Sequence, residues 1–125
     1  MLKTLLFVGA GGFLGSISRF LASRFIQNNV ESVFPYGTFL VNITGCFLIG
    51  LIYGFSEKAP SFPAGWKLFL TAGFCGGFTT FSTFANENLA LLRDGDFFHF
   101  MLYTVLSVIL GISAAFFGIV ITKVL

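Results

Sequence analysis

Charge is scarce in this sequence. Of its 125 residues, 10% are Asp, Glu, Lys or Arg, whereas about 25% is usual in a soluble domain. A water-soluble fold of this size could not cover its surface with so few charges, so lipid must solvate most of it. Four spans of about 20 residues with short loops would use up the whole length, which leaves no room for a soluble catalytic module. The absence of a basic run argues against nucleic acid as a partner.

Cysteine and histidine are scarce as well. The two cysteines, Cys46 and Cys75, lie inside apolar segments, where we interpret them as small buried hydrophobic residues rather than a disulfide or a metal pair. The single histidine, His99, lies near a predicted membrane interface, which favours an interfacial role over a catalytic one. No nucleophile, base and orienting group can be placed together, so we predict that the protein is not an enzyme.

Apolar residues make up 56% of the chain, with 19 phenylalanines and a mean hydropathy of +0.94. They form four runs that are long enough to cross a bilayer as helices of about 20 residues. The predicted spans are residues 4–25, 36–55, 66–92 and 97–123. Helix breakers and charges occupy the connections between them. We therefore predict an all-α integral membrane protein with a single four-helix domain over residues 1–125.

Basic residues are almost evenly divided between the two sides of this predicted bundle. The side of the termini carries Lys3, Lys58, Lys67 and Lys123, and the other side carries Arg19, Arg24 and Arg93. Because a Lys/Arg imbalance orients a membrane protein, four against three predicts insertion in both orientations. Two opposite copies could then pair about a twofold axis in the membrane plane as an antiparallel homodimer. A weakly biased single orientation is the alternative.

Polar residues inside the predicted spans are mostly neutral hydrogen-bond donors. Such residues are costly in lipid and usually mark function. Arg19 and the carboxylates fall toward span ends, and no acidic residue occupies the middle of a span. This pattern favours a path for an anion, with no cation or proton carrier in it.

The third predicted span contains a double glycine followed by four Ser or Thr residues within positions 76–84. These are poor helix formers, and Gly-Gly frees the backbone, so we predict a break at mid-membrane near Gly76 to Thr80. Broken membrane helices often give their carbonyls to a cation such as sodium, and a twofold axis would duplicate any such ligand set. Two carbonyls per chain would hold one structural sodium ion at the dimer centre. An unbroken, glycine-packed helix is the alternative.

Phenylalanine recurs every three residues in the same stretch. Phe81 and Phe84 share one helix face, and the edge of each ring carries partial positive charge. Two edges that face a lumen could hold a small anion, although most phenylalanines in the chain are expected in lipid or in the core. Asn42 supplies an amide donor on the neighbouring span, and Ser and Thr hydroxyls could continue the path.

Together these motifs resemble the Fluc (CrcB) family of bacterial fluoride channels over essentially the whole chain. The motifs that carry the resemblance are residues 11–16 with Arg19, Gly37-Thr38 with Val41-Asn42 and Gly45, and above all residues 76–84. The resemblance implies an antiparallel homodimer with two parallel pores in the bacterial inner membrane. It also implies a central structural sodium ion and passive export of fluoride from the cytoplasm, which reduces fluoride toxicity.

Individual roles follow from the resemblance too. It implies that the backbone carbonyls of Gly76 and Thr79 bind sodium. The residues expected along the fluoride pore are Phe81, Phe84, Asn42, Ser82, Thr83, Tyr103, Ser107 and Thr38, with Arg19 and Glu87 at the vestibules. The family pattern has a further serine four residues after Ser107. This chain has Gly111 there and Ser113 nearby, which leaves the far end of the hydroxyl track open.

Two other classes of protein fit parts of the sequence. A small multidrug-type exchanger also has four short, dual-topology spans, but its mechanism needs a carboxylate within the first span, where this chain has Arg19 and no acid. A non-transporting assembly subunit would explain the glycines and phenylalanines but not the clustered donors of the third span. Fluoride efflux from liposomes that contain the purified protein alone separates the three.

Overall fold

The computed structural model describes all 125 residues, which form helices and no strand. Helices α1 (Leu2–Asn29) and α2 (Tyr36–Lys58) come first, and α6 (Phe97–Val124) comes last. The segments between them are α3 (Ala64–Leu68), a π-helical stretch (Phe69–Cys75), α4 (Gly76–Phe78) and α5 (Phe81–Arg93). These four segments together form the third span, Ala64–Arg93.

Four stretches are long and apolar enough to cross a membrane, which confirms the four predicted spans. The helices extend beyond the predicted bounds; α1, for example, begins at Leu2 and ends at Asn29. Helical hydrogen bonding does not stop where the apolar run stops, and the Asn29 side chain bonds the Phe25 carbonyl at 2.7 Å in the last turn. Apolar length therefore predicts the number of spans better than their ends.

A tight turn joins the third span to α6. Gly95 has a φ of 74°, a conformation that a side chain would strain. The Asp96 carboxylate caps α6 by accepting a hydrogen bond from the backbone N–H of His99 at 3.1 Å, and this bond lowers the pKa of Asp96. The capped reversal brings α5 and α6 against each other.

Glycine lets α1 pack directly on the backbone of the third span. A Cβ at Gly11 would collide with the carbonyl oxygen of Phe69, and one at Gly15 would collide with that of Phe74. A Cβ at Gly77 would lie 2.7 Å from the carbonyl oxygen of Gly12. Such close approach is how helices associate in lipid.

Helix α2 packs on α6 in the same way. A Cβ at Gly50 would collide with the Ala115 carbonyl, and one at Gly118 would lie 2.5 Å from the Phe47 carbonyl. The bundle therefore contains two tight pairs, α1 with the third span and α2 with α6.

Few apolar side chains are buried in the single chain. One small cluster contains Phe34, Phe39, Leu91 and Tyr103. Many of the largest apolar side chains on α1 and α6 are exposed, including Phe13 at 66% and Phe116 at 69%. A surface of this kind must be covered by lipid or by protein.

Candidate functional site

The third span loses helical geometry at two threonines. Thr79 has φ −89° and ψ 156°, and Thr80 has φ −148° and ψ 124°, both extended. Gly76 and Gly77 remain helical, and α5 begins at Phe81. The interruption thus lies in the second half of the predicted stretch, after the double glycine rather than on it.

The side chain of Asn42, on α2, replaces the helical hydrogen bonds that the backbone of Thr80 does not make. Its side-chain Nδ2 donates to the Thr80 carbonyl at 3.1 Å, and its Oδ1 accepts from the Thr80 backbone N–H at 2.8 Å. Thr80 in turn caps α5, since its hydroxyl accepts from the Thr83 backbone N–H at 3.2 Å. The extended backbone is therefore paired rather than strained.

These bonds take donors away from two particular carbonyls. In an uninterrupted α-helix the N–H of Thr80 would bond to the carbonyl of Gly76, and that of Thr83 would bond to the carbonyl of Thr79. Both donors go to side-chain oxygens instead. The carbonyls of Gly76 and Thr79 lack these helical partners and suit a hard cation that takes oxygen ligands.

A groove of about 620 Å³ runs beside the interruption. Its walls come from α2, the third span and α6, and they include several of the sequence-predicted residues: Asn42, Gly76, Thr79, Phe81, Phe84 and Ser107. The remaining walls are mostly apolar. Sequence reasoning thus selected residues from three different helices that the fold brings to one surface.

Two phenylalanines that lie against each other line this groove. The centroids of Phe81 and Phe84 lie 5.8 Å apart with a tilt of 43°, and Phe84 packs on Tyr103 at 4.9 Å. Phe81 is 80% exposed. Since Phe81 meets little of its own chain, its ring is free to face a partner or an ion.

Ser107 of α6 has the only buried side-chain nitrogen or oxygen that lacks a hydrogen-bond partner. Ser107 is one of the residues that line the groove, and its hydroxyl oxygen is enclosed by protein atoms. A buried polar group without a partner is costly, and its persistence calls for an explanation such as a ligand or a water molecule.

Thr38 and Tyr103 point their hydroxyls at a carboxylate rather than into the groove. Thr38 Oγ1 donates to Glu87 Oε2 at 3.0 Å, and the Tyr103 hydroxyl donates to Glu87 Oε1 at 2.9 Å. Tyr103 is fully buried and touches Phe84. The three polar residues form a layer next to the phenylalanine pair.

Ser82, Thr83 and Arg19 do not line the groove. Ser82 is exposed, and Thr83 accepts a hydrogen bond from the Thr80 hydroxyl at 3.2 Å. Arg19 donates from Nε to the Gly77 carbonyl at 3.0 Å, so its guanidinium holds α1 to the end of α4. The structure gives Arg19 a tethering contact where the sequence suggested only a vestibule charge.

The far end of the predicted hydroxyl track is apolar. Gly111 is buried, and a Cβ there would lie 3.5 Å from the sulfur of Cys46. Ser113 is exposed and contributes nothing to the groove. Ser107 is thus the last hydroxyl that α6 supplies to this surface.

The sequence does not predict one aromatic residue of the groove. Tyr53 lines it, and Lys67 Nζ lies 4.9 Å above the centre of the Tyr53 ring. Asn42, Cys46, Ile49 and Tyr53 follow each other at helical spacing on α2. Extending the face of Asn42 along the helix would have identified Tyr53, whereas nothing in the sequence pairs it with Lys67.

Four membrane-spanning helices, three of which line a groove with hydroxyl-bearing and aromatic residues, define a multi-pass membrane protein, consistent with the bacterial inner membrane. A family model described as CrcB-like protein, Camphor Resistance (CrcB), matches residues 6–119. The chain belongs to the CrcB family, which confirms the resemblance noted from its motifs.

Several relatives carry the name fluoride-specific ion channel FluC. The one from Flavobacterium psychrophilum is 45% identical over 122 residues, which cover 98% of each chain. The one from Campylobacter lari is 47% identical over 123 residues, or 98% of this chain and 100% of the relative. The one from Leptospira interrogans serovar copenhageni is 44% identical over 117 residues, or 94% and 92%.

Proposed function

We propose that the protein is a fluoride-selective channel that exports fluoride passively from the cytoplasm and so reduces fluoride toxicity. The observation that carries the proposal is the groove, whose lining residues include Ser107, with its unpartnered buried hydroxyl, and the two phenylalanines Phe81 and Phe84. Relatives that match nearly the whole chain are named fluoride-specific ion channels, which supports the choice of ion.

The pore would replace the water around fluoride with donors from the protein. Ser107 offers an unused hydroxyl, and the Asn42 amide has a second N–H beyond the one given to Thr80. The positive edges of Phe81 and Phe84 would hold the anion without a full charge that would trap it. Thr38, Tyr103 and Glu87 would form the next layer, while Ser82 and Thr83 stay nearer the rim.

Export needs no coupled energy source in this scheme. A negative-inside potential drives an anion outward with about 2.3 kcal/mol per charge per 100 mV. Lys67, whose Nζ lies 4.9 Å from the centre of the ring of Tyr53 in the groove lining, would raise the local anion concentration. Catalysis plays no part in the proposal, since the residues act only as a path.

The functional unit would be an antiparallel homodimer with two pores. The near balance of basic residues supports dual insertion. The exposure of Phe81 and the open groove support a partner that completes the walls. A second copy related by a twofold axis would supply the same surface in reverse.

A structural sodium ion would sit on that axis. The carbonyls of Gly76 and Thr79 have lost their helical donors to Asn42 and Thr80, and both residues line the groove. The interruption falls near the middle of Ala64–Arg93, which supports a depth near mid-membrane. Two copies would provide four oxygen ligands, and the ion would stabilise the unwound backbone of both chains.

Efflux from liposomes tests the proposed function. Purified protein is reconstituted into vesicles that contain potassium fluoride, and release is followed with a fluoride electrode after valinomycin is added. We expect rapid fluoride release and little chloride release from matched vesicles. Equal release of both ions would contradict selectivity, and no release of either would favour an assembly subunit.

A further inference from the structure

A second groove, of about 310 Å³, lies between the start of α1 and the start of the third span. Its lining consists of Lys3, Leu6, Phe7, Ala10, Trp66 and Phe69. None of these residues lines the first groove. The volume is at the low end of small-molecule sites, about 300 to 1,000 Å³, and five of its six lining residues are apolar.

Three aromatic rings that line this second groove pack against one another. Trp66 meets Phe69 edge to face at 5.3 Å and meets Phe7 at 6.2 Å. A Cβ at Gly65 would lie 2.8 Å from the Phe7 ring, so that ring rests directly on the backbone of α3. Trp66 remains 52% exposed, which leaves the groove open to the surroundings.

The groove has one polar end and one apolar end. Lys3, Leu6 and Ala10 share a face of α1, and Ala10 lies about 10 Å along the helix from Lys3. Lys3 is exposed, and the single ion pair of the structure joins two other residues. Trp66 lies in the first turn of the third span and lines the same groove as Lys3, and aromatic residues are enriched at membrane interfaces. Lys3 is thus an unpaired cation at the interfacial mouth of an apolar slot.

This polarity matches one class of membrane ligand. We propose that the groove binds an anionic phospholipid, with the phosphate against Lys3 and an acyl chain along Leu6 and Ala10. A zwitterionic lipid would gain the apolar contacts, but its own ammonium would oppose Lys3. The expected preference for the anionic lipid is about fivefold, the equivalent of the ~1 kcal/mol that one Lys contributes near an anionic surface.

Trp66 makes the site measurable, because it is the only tryptophan in the chain. The full-length protein is reconstituted in phosphatidylcholine vesicles with small, equal mole fractions of either brominated phosphatidylglycerol or brominated phosphatidylcholine. Bromine on the acyl chain quenches a nearby indole. At the same small mole fraction, we expect the brominated phosphatidylglycerol to quench Trp66 about five times as strongly as the brominated phosphatidylcholine.

Three variants distinguish lipid binding in the groove from a general effect of the protein's charge. Lys3→Gln should make the two lipids equal quenchers, whereas Lys123→Gln, an equal loss of charge near the other terminus, should keep the preference. Ala10→Leu, at an exposed position of the slot, should weaken quenching by both lipids.

Several results would overturn the lipid site. Equal quenching by the two lipids in the unmodified protein would do so, as would an equal loss of preference in Lys3→Gln and Lys123→Gln. A Trp66 that neither lipid quenches would mean that protein covers the groove. None of these experiments measures fluoride flux, so the lipid site and the proposed channel function are tested independently.

Discussion

Ser107 combines two properties that rarely occur together, burial and an unpaired hydroxyl. If the hydroxyl has no partner of any kind, removing it should leave stability unchanged or improved, because an unsatisfied buried polar group costs about 1 to 3 kcal/mol. If fluoride is its partner, Ser107→Ala should lower fluoride flux by about tenfold, the effect of ~1.4 kcal/mol of lost stabilisation. Liposome efflux and thermal unfolding in detergent measure the two effects.

The matched control for Ser107 is Ser113→Ala, which removes an exposed hydroxyl from the same helix. It should change neither flux nor the unfolding midpoint. Normal flux through Ser107→Ala would remove this hydroxyl from the pore, whatever its effect on stability.

Phe81 is the second residue whose exposure suggests function. Because 80% of its surface is exposed in the single chain, its own fold gains little from the ring. We expect Phe81→Ile to leave the unfolding midpoint of the monomeric fold within a few degrees and to reduce fluoride flux by about tenfold or more, since an aliphatic side chain offers no positive edge. Liposome efflux and thermal unfolding in detergent provide the measurements.

Phe116→Ile gives the comparison for Phe81, since Phe116 is a similarly exposed ring, at 69%, on α6. Its flux should match that of the unmodified protein. If the two variants lose flux equally, the effect belongs to general packing in the membrane and not to an anion slot at Phe81.

At the residue scale, the sequence predicts which side chains are functional candidates but not which groups they contact. The position of Asn42 on a neighbouring span predicts that it is an anion donor, and Asn42 lines the groove. Its two bonds to Thr80, which is 38 positions away, depend on how α2 meets the third span. The same holds for Thr38 and Tyr103: residue type predicts a hydroxyl, but only the fold decides that it points at Glu87.

At the scale of the helical element, Arg19 holds the end of α4. A helix carries partial negative charge at its carboxyl end, and Arg19 donates to the Gly77 carbonyl there. Arg19→Gln should lower stability by about 1.5 to 3 kcal/mol, the usual range for a hydrogen bond to a charged group. Flux should fall by a similar factor at low and at high ionic strength, because a packing defect is not screened by salt.

Ionic strength distinguishes this tether from a steering charge. A vestibule arginine that attracts fluoride would lose its effect as salt screens it beyond about 10 Å at 0.1 M. Arg24→Gln, which removes a guanidinium from the exposed surface of the same helix, provides the control and should leave stability unchanged. A flux defect of Arg19→Gln that disappears at high salt would contradict the tethering role.

The interruption of the third span illustrates what composition reveals about an element. Weak helix formers indicate that the helix can break between Gly76 and Thr80. They do not indicate at which residue it breaks. Gly77 stays helical because it packs on Gly12 and because Arg19 caps its carbonyl. Thr79 and Thr80 become extended where Asn42 provides replacement bonds. Propensity selects the region, and tertiary partners select the residue.

For the whole molecule, apolar length alone predicts the number of helices, since each span must satisfy its own backbone in lipid. The partners of those helices are harder to predict. Glycine pairs occur on three spans, yet only the structure shows that α1 joins the third span and that α2 joins α6. Periodic small residues indicate close contact without saying which helix provides the other side.

Subunit orientation can be tested through the balance of basic residues. Arg24→Gln with Arg93→Gln changes the ratio from four against three to four against one, which should commit the chain to one orientation. Copies that all face the same way cannot form an antiparallel pair. We therefore expect this variant to insert in the membrane and to lose nearly all fluoride efflux from cells.

Expressing two oppositely oriented variants together distinguishes the loss of an antiparallel partner from damage to the pore itself. A second variant with Asn28→Lys, Glu31→Lys and Lys123→Gln has three basic residues against five and should insert in the opposite orientation. Each variant alone should fail to protect cells from fluoride, and the two together should restore protection, because only the mixture contains both orientations. Full activity of either variant alone would show that same-facing chains conduct, and the antiparallel dimer would have to be abandoned.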